Sequence, residues 1–220
     1  MQPAPLLVLA SVLLFGGLRG LVAQAARPCR ARVSDSATAA AAVVSATDPR
    51  TRVGPFAQLC DPSIVVAAAW MPARDDSSNY GPRLVVLHRR PRWTVTQIQN
   101  GMLDAALPGL FVFQVGRRVL LLADLGNEGS WGLGTFALRG DTLESLGILD
   151  VGVPASFNSD PDETAIDHAS ITLVAGRWRV SFDTVIVVRP NQSASERRVM
   201  VGQPPFVFEQ AAGGWHALKR

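Results

Sequence analysis

Residues 153–168, VPASFNSDPDETAIDH, bring Asp160, Asp162, Glu163, Asp167 and His168 into one short stretch. Closely spaced carboxylates supply the hard oxygen donors that Ca2+ takes, and these five residues are the candidate metal ligands. Pro161 interrupts the Asp-x-Asp spacing, and the further Asp/Asn and Gly that complete an EF-hand loop are missing. The competing reading is a solvated loop in which Asp160 or Asp162 shapes a turn through its own backbone. Acid–base chemistry needs a histidine oriented by a carboxylate. Asp167 and His168 are adjacent, so on a strand they face opposite ways and cannot orient one another.

A nucleophile would have to come from elsewhere. Ser130 lies in EGSWG, which lacks the first glycine of the Gly-x-Ser-x-Gly elbow. No residue is therefore assigned as catalytic. A metal-dependent or Ser/His hydrolase using the acidic loop at 160–168 stands as the alternative to a non-catalytic binding module.

The second chemically suggestive stretch is DLGNEGSWGLG at 124–134. A glycine-flanked tryptophan can stack on a sugar or a peptide, so Trp131, with Asn127 and Glu128 beside it, forms the candidate ligand-binding group. GLGTFA at 132–137 spells a dinucleotide fingerprint, but the run after it reads as a strand rather than a helix. Arg139-Gly140-Asp141, between FAL and TLESL, reads as the turn of a hairpin. Asn191-Gln192-Ser193 matches a glycosylation acceptor that only a eukaryotic secretory route would use.

The elements that must carry these residues are short strands. From Ser63 onward, alternating or apolar runs of strand length (64–70, 83–88, 93–98, 110–115, 119–124, 134–139, 142–151, 169–175, 178–188, 198–201, 206–210 and 215–219) are separated by turn chemistry. Connections such as Gly116-Arg117-Arg118 and Ala175-Gly176-Arg177 are too short for a parallel crossover, so neighbouring strands should pair as antiparallel hairpins. The fold expected is an all-β, mainly antiparallel meander, a sandwich or partly open barrel, with a small β-propeller-like fold as the alternative. Three stretches, PRWTVTQ, GRWRVSF and GGWHALK, place a tryptophan after a turn. Alternation puts Trp178 with Val180 and Phe182, which marks these rings as plugs at the sheet ends rather than as a binding motif.

The N-terminal part differs in kind. Leu6 to Leu18 is almost wholly apolar but too short to span a bilayer, and Ala23-Gln24-Ala25 places small residues where a signal peptidase reads them. Residues 1–25 are read as a signal peptide, with no membrane span in the mature chain. Cys29 and Cys60 are the only cysteines, and in an oxidising compartment they should pair. Closing that loop would stabilise the fold by about 3–4 kcal/mol in the chain-entropy model. Residues 26–62 form an N-terminal segment tied by this disulfide. It contains one short helix in SDSATAAAAVVSATD, capped by Ser34 or Ser36 and ended by Asp48-Pro49. Residues 63–220 form the antiparallel β domain.

A net charge of +3 is too small for a nucleic-acid footprint. Arg89-Arg90-Pro91-Arg92 suits a solvated hairpin end. Abundant alanine with a single lysine, Lys219, points to a GC-rich bacterial source. Together these features describe a secreted or periplasmic bacterial β module that binds a ligand or an envelope protein.

Overall fold

The computed structural model describes residues 23–29, 33, 35–102, 107–125, 132–149, 151–152, 165–183, 187–188, 198–199 and 205–218. Two short strands, β1 (Gln24–Ala25) and β2 (Arg27–Pro28), precede the helix α1 (Ser36–Ala46). A first sheet follows as the meander β3 (Arg52–Gln58), β4 (Ile64–Trp70), β5 (Arg83–Arg89) and β6 (Trp93–Ile98). A second repeats the plan with β7 (Leu110–Val115), β8 (Arg118–Leu125), β9 (Gly132–Arg139) and β10 (Thr142–Leu149), and β2 pairs with the free side of β7. Next in the chain come β11 (Val151–Gly152), β12 (Ala169–Val174), β13 (Arg177–Phe182), β14 (Val187–Val188), β15 (Arg198–Val199), β16 (Phe206–Ala211) and β17 (Gly214–Ala217). The third sheet has the order β1-β12-β13-β16-β17, and β11, β14 and β15 make a small separate sheet. Every pairing is antiparallel, as the short connections dictate.

The three sheets stack as layers, and the alternation within each strand decides what each face meets. Val65, Ala67, Val85 and Leu87 of the first sheet pack under Ala39 and Val43 of α1. The opposite face of that sheet, Val66, Ala68, Leu84 and Val86, packs on Val119, Leu121, Ala123 and Phe136 of the second. The other face of the second sheet, Leu120, Leu122 and Leu133, meets Trp178, Val180, Phe182 and Phe208 of the third. β4 and β8 are thus covered on both faces, which is why IVVAAAW and VLLLADL read as nearly continuous apolar runs. This is an all-β layered sandwich with one helix, and no sheet among the described residues closes into a barrel.

Side chains also join the layers. The Gln97 amide of β6 donates to the Leu143 carbonyl (2.9 Å) and accepts from the Leu143 N–H (2.8 Å), satisfying the outer edge of β10. Between the second and third sheets, Trp215 Nε1 donates to Thr135 Oγ1 (2.8 Å), and that hydroxyl donates to the Gly147 carbonyl (2.7 Å). Cys29 and Cys60 form the expected disulfide, with Cα atoms 5.5 Å apart, fastening the end of β2 to the β3–β4 turn. Two of the tryptophans that follow turns belong to the core, Trp178 being 4% exposed and Trp93 8%. Trp93 opens the fourth strand of the first sheet, whereas Trp178 and Trp215 are the second residues of the third and fifth strands of the third sheet. Their uneven spacing in the chain follows from those different places.

Some boundaries differ from expectation. β3 escapes the alternation test because Gly54 and Pro55 sit at a register shift within it. The strand expected over 178–188 ends at Phe182, and Val187–Val188 pairs instead with β11 and β15. Asp35, rather than Ser34 or Ser36, occupies the N-cap of α1, without a side-chain cap bond. Thr47 terminates the helix, its hydroxyl donating to the Val43 carbonyl (2.7 Å) just before Asp48-Pro49.

Candidate functional site

Strand direction sorts the connections between the two ends of the stack. Ile64 pairs with His88, Val115 with Arg118, Arg139 with Thr142, and Val174 with Arg177. The tight turns at 61–63, 90–92, 116–117, 140–141 and 175–176 therefore gather at one end. Bonds between layers confirm the alignment: Arg90 Nη2 meets Asp141 Oδ2 at 3.0 Å, and Arg118 Nη1 donates to the Gly176 carbonyl at 2.5 Å. Gly140, at φ +59°, supplies the left-handed turn residue that the Arg-Gly-Asp reading required.

At the opposite end, Ala69 pairs with Arg83, Leu110 with Ala123, Leu125 with Gly132, and Phe182 with both Ala169 and Phe206. The chain therefore leaves and re-enters the sheets at this loop end for its long connections, 71–82, 99–109, 126–131, 150–168 and 183–205. On a β scaffold such connections carry recognition, because the strands fix their ends while the loops are free to vary. The exposed large apolar side chains lie here too: Tyr80 (44%), Ile148 (59%) and Leu218 (40%). Ile148 pairs with Gly134, two residues beyond the point where the 126–131 connection returns to the sheet, and Leu218 N–H bonds to the Val207 carbonyl.

The loop at 71–82 is held from beneath by Arg83, a side chain 1% exposed at the start of β5. Its guanidinium donates to Asp75 Oδ1 (2.7 Å) and to the carbonyls of Gly81 (3.1 Å), Arg74 (2.7 Å) and Asn79 (2.8 Å). A fork of fixed donors is what a loop full of inward carbonyls requires, and it satisfies groups that burial would otherwise leave without partners. Asn79 Oδ1 accepts the Gly101 N–H (2.5 Å), and a Cβ on Gly101 would lie 2.2 Å from the Tyr80 carbonyl oxygen. Glycine at 101 is therefore required by close approach of the two loops. At the tip, the Ser78 hydroxyl and N–H bond the Asp76 carboxylate and hold it below the usual carboxylate range. The backbone of Tyr80 is clamped while its ring is left open to solvent.

No family model matches this chain, and neither a curated protein nor a solved structure does. Residue chemistry is thus the basis for reading the site. Trp131, Asn127 and Glu128 lie outside the described residues, as do Ser130, Asp160, Asp162 and Glu163. Asp167 and His168 fall in a short 3-10 turn, Ala165–His168, leading into β12. His168 does not turn to its neighbour: its Nδ1 lies 3.5 Å from Asp183 Oδ1 across the base of the β12–β13 hairpin, and the Asp183 N–H bonds to the His168 carbonyl (3.3 Å). Among the described residues no group of three or more His, Cys, Asp or Glu side chains gathers as a metal site.

Sequence reasoning passed over Tyr80 and Arg83. A charged residue opening the otherwise apolar run RLVVLH, directly after a polar loop, was the available signal for the second. The turn end offers a different feature, an open cleft of about 580 Å³ whose walls include Gln24, Arg27, Gln114 and the Cys29–Cys60 bridge. Arg27 is the one charged side chain in its lining.

Proposed function

We propose that the chain is an exported, non-catalytic β module that binds a ligand or protein partner in the periplasm or cell envelope through the loop end of its sheet stack. One observation carries the reading: the long connections and the exposed large apolar side chains of the described residues share the same end. Apolar side chains held in solvent by a rigid frame bind with little loss of conformational freedom, which favours recognition. The strand ends at Leu125 and Gly132, which flank the Trp131 stretch, and the 3-10 turn Ala165–His168 leading into β12 lie at this same end, which is why the candidate residues of those stretches are kept in this proposal. The disulfide fits an oxidising compartment, and no described helix is long and apolar enough to cross a membrane.

A photo-crosslinking side chain at Tyr80 or Ile148, compared with the same group at Arg117 on the turn end, tests the assignment in cells. The expected result is a shared adduct from the two loop-end positions that is missing from Arg117. Equal labelling from Arg117, or no adduct at either loop-end position, would remove the proposal.

A further inference from the structure

The turn end carries a charge pattern that ligand binding at the loop end does not use. Arg89, Arg90 and Arg92 of the first sheet, Arg117, Arg118 and Arg139 of the second and Arg177 of the third are all exposed there. They form one continuous rim, because Arg90 reaches Asp141 on the neighbouring sheet and Arg118 reaches Gly176 on the next. Five described acids share this end, Glu209 among them. Asp141 and Glu144 lie 3.0 Å and 2.8 Å from Arg90 and Arg139, Asp35 lies 3.9 Å from Arg89, and Asp61 is bound by Ser63. Arg177 is paired with Glu209 on the third sheet (3.0 Å). Arg92, Arg117 and Arg118 have no carboxylate partner among the described residues. The loop end has no such excess: its described acids Asp48, Asp75, Asp76, Asp124, Asp167 and Asp183 nearly balance Arg50, Arg52, Arg74, Arg83 and Arg198.

We infer that this rim docks the protein on an anionic phospholipid surface, loop end outward. The chemistry is that of guanidinium forks on phosphate oxygens, for which arginine is better suited than lysine. Shape separates a membrane from a small phosphorylated ligand. The turns of three layers spaced by about 10 Å set the arginines across a broad face, where they meet many phosphates in a plane. Contact is electrostatic, since none of the exposed large apolar side chains among the described residues lies at this end. It therefore weakens with salt, and the difference in charge between the two ends sets the orientation.

The test is sedimentation of the protein, purified as the cell processes it, with phosphatidylcholine vesicles containing or lacking phosphatidylglycerol, in low and high salt. The variant pair Arg92→Glu with Arg117→Glu leaves every described side-chain bond in place. Arg52→Glu with Arg74→Glu is the matched charge change at the loop end. Support consists of binding that requires phosphatidylglycerol, falls at least tenfold in high salt and falls at least fivefold in the turn-end variant but not in the loop-end one. Equal binding by the turn-end variant, equal binding to neutral vesicles, no binding to anionic vesicles in low salt, or equally tight binding to duplex DNA would each overturn the assignment.

Discussion

Gln97 and Leu143 lie on the outer edges of two different sheets, and the amide of the first makes both backbone bonds of the second. Gln97 takes the place of a neighbouring strand for one residue, so β10 is satisfied where its own sheet ends. Gln99 Nε2 also donates to the Leu143 carbonyl, which makes the N–H the group that depends on Gln97 alone. Gln97→Leu should therefore destabilise the fold by about 1–2 kcal/mol, the cost of one half-buried donor left without a partner. Gln97→Glu, which still offers an acceptor, should lose less at neutral pH. Urea midpoints of the two variants check the order, and equal losses would show that the N–H bond contributes nothing.

Arg83 should be the most damaging polar residue to replace. Arg83→Met keeps the bulk of the stem but deprives three loop carbonyls and Asp75 of their donor. The expected loss is about 3 kcal/mol, as when one partner of a buried charged pair is removed. Hydrogen exchange at 74–81 should quicken even under conditions where the sheets remain folded. Unchanged exchange there would mean that the loop holds itself.

Much of the architecture was legible in the sequence because it rests on local rules. Period-two runs such as WRVSF, turns too short for a crossover, and a chain with only two cysteines sufficed for an antiparallel all-β fold with a Cys29–Cys60 bridge. The stacking of three layers was written less plainly. In the sequence IVVAAAW and VLLLADL read only as strands; their being apolar on both faces fits the central places of β4 and β8, but which sheet each face meets depends on contacts distant in the chain. β3 was hidden by Gly54-Pro55, which breaks the alternation at a bulge. The site was legible only as separate loops. That the 71–82 loop shares one end with the strand ends at Leu125, Gly132 and Ala169 is a property of strand direction, which no local window contains. Tyr80 gave no warning, since one aromatic in a polar loop has no period.

Glu209 should make part of the stability depend on acid. Hydrogen bonds from Arg179 (2.6 Å) and Arg177 (3.0 Å) hold its carboxyl below the ordinary value of 4.5. A group with a depressed folded value contributes stability that is fully present above its unfolded value and is lost as pH falls through the folded one. The loss should begin below about pH 4.5 and reach roughly 1 kcal/mol, a figure reduced for the solvent that reaches both arginines. Glu209→Gln should remove this contribution at pH 7 and flatten the acid limb between pH 5 and about pH 3. Parallel acid limbs in the two proteins would contradict the assignment.

The Trp215–Thr135 bond should couple the second and third sheets. Trp215→Phe keeps most of the packing and removes one donor, at a cost of about 1 kcal/mol. Thr135→Val removes the acceptor and also the donor to Gly147, so it should cost more. In the double variant the losses should fall short of their sum by about 0.5–1 kcal/mol, the signature of a direct interaction. Full additivity in urea denaturation would make the contact incidental.

Cys29→Ser with Cys60→Ser tests how the N-terminal segment is held. The bridge spans a sequence separation of 31 residues and joins β2, on the edge of the second sheet, to the β3–β4 turn of the first. Removing it should lower stability by about 3–4 kcal/mol, most of it through the freed unfolded chain. What remains on the folded side is modest: β2 keeps its pairing with β7, and the Cys29 N–H donates to the Val112 carbonyl at 2.8 Å. The sheets should therefore survive in the variant with their near-ultraviolet signal intact, while residues 24–29 become the first part of the fold to exchange. A variant that loses the tryptophan signal together with the bridge would show that the disulfide organises the stack rather than its edge.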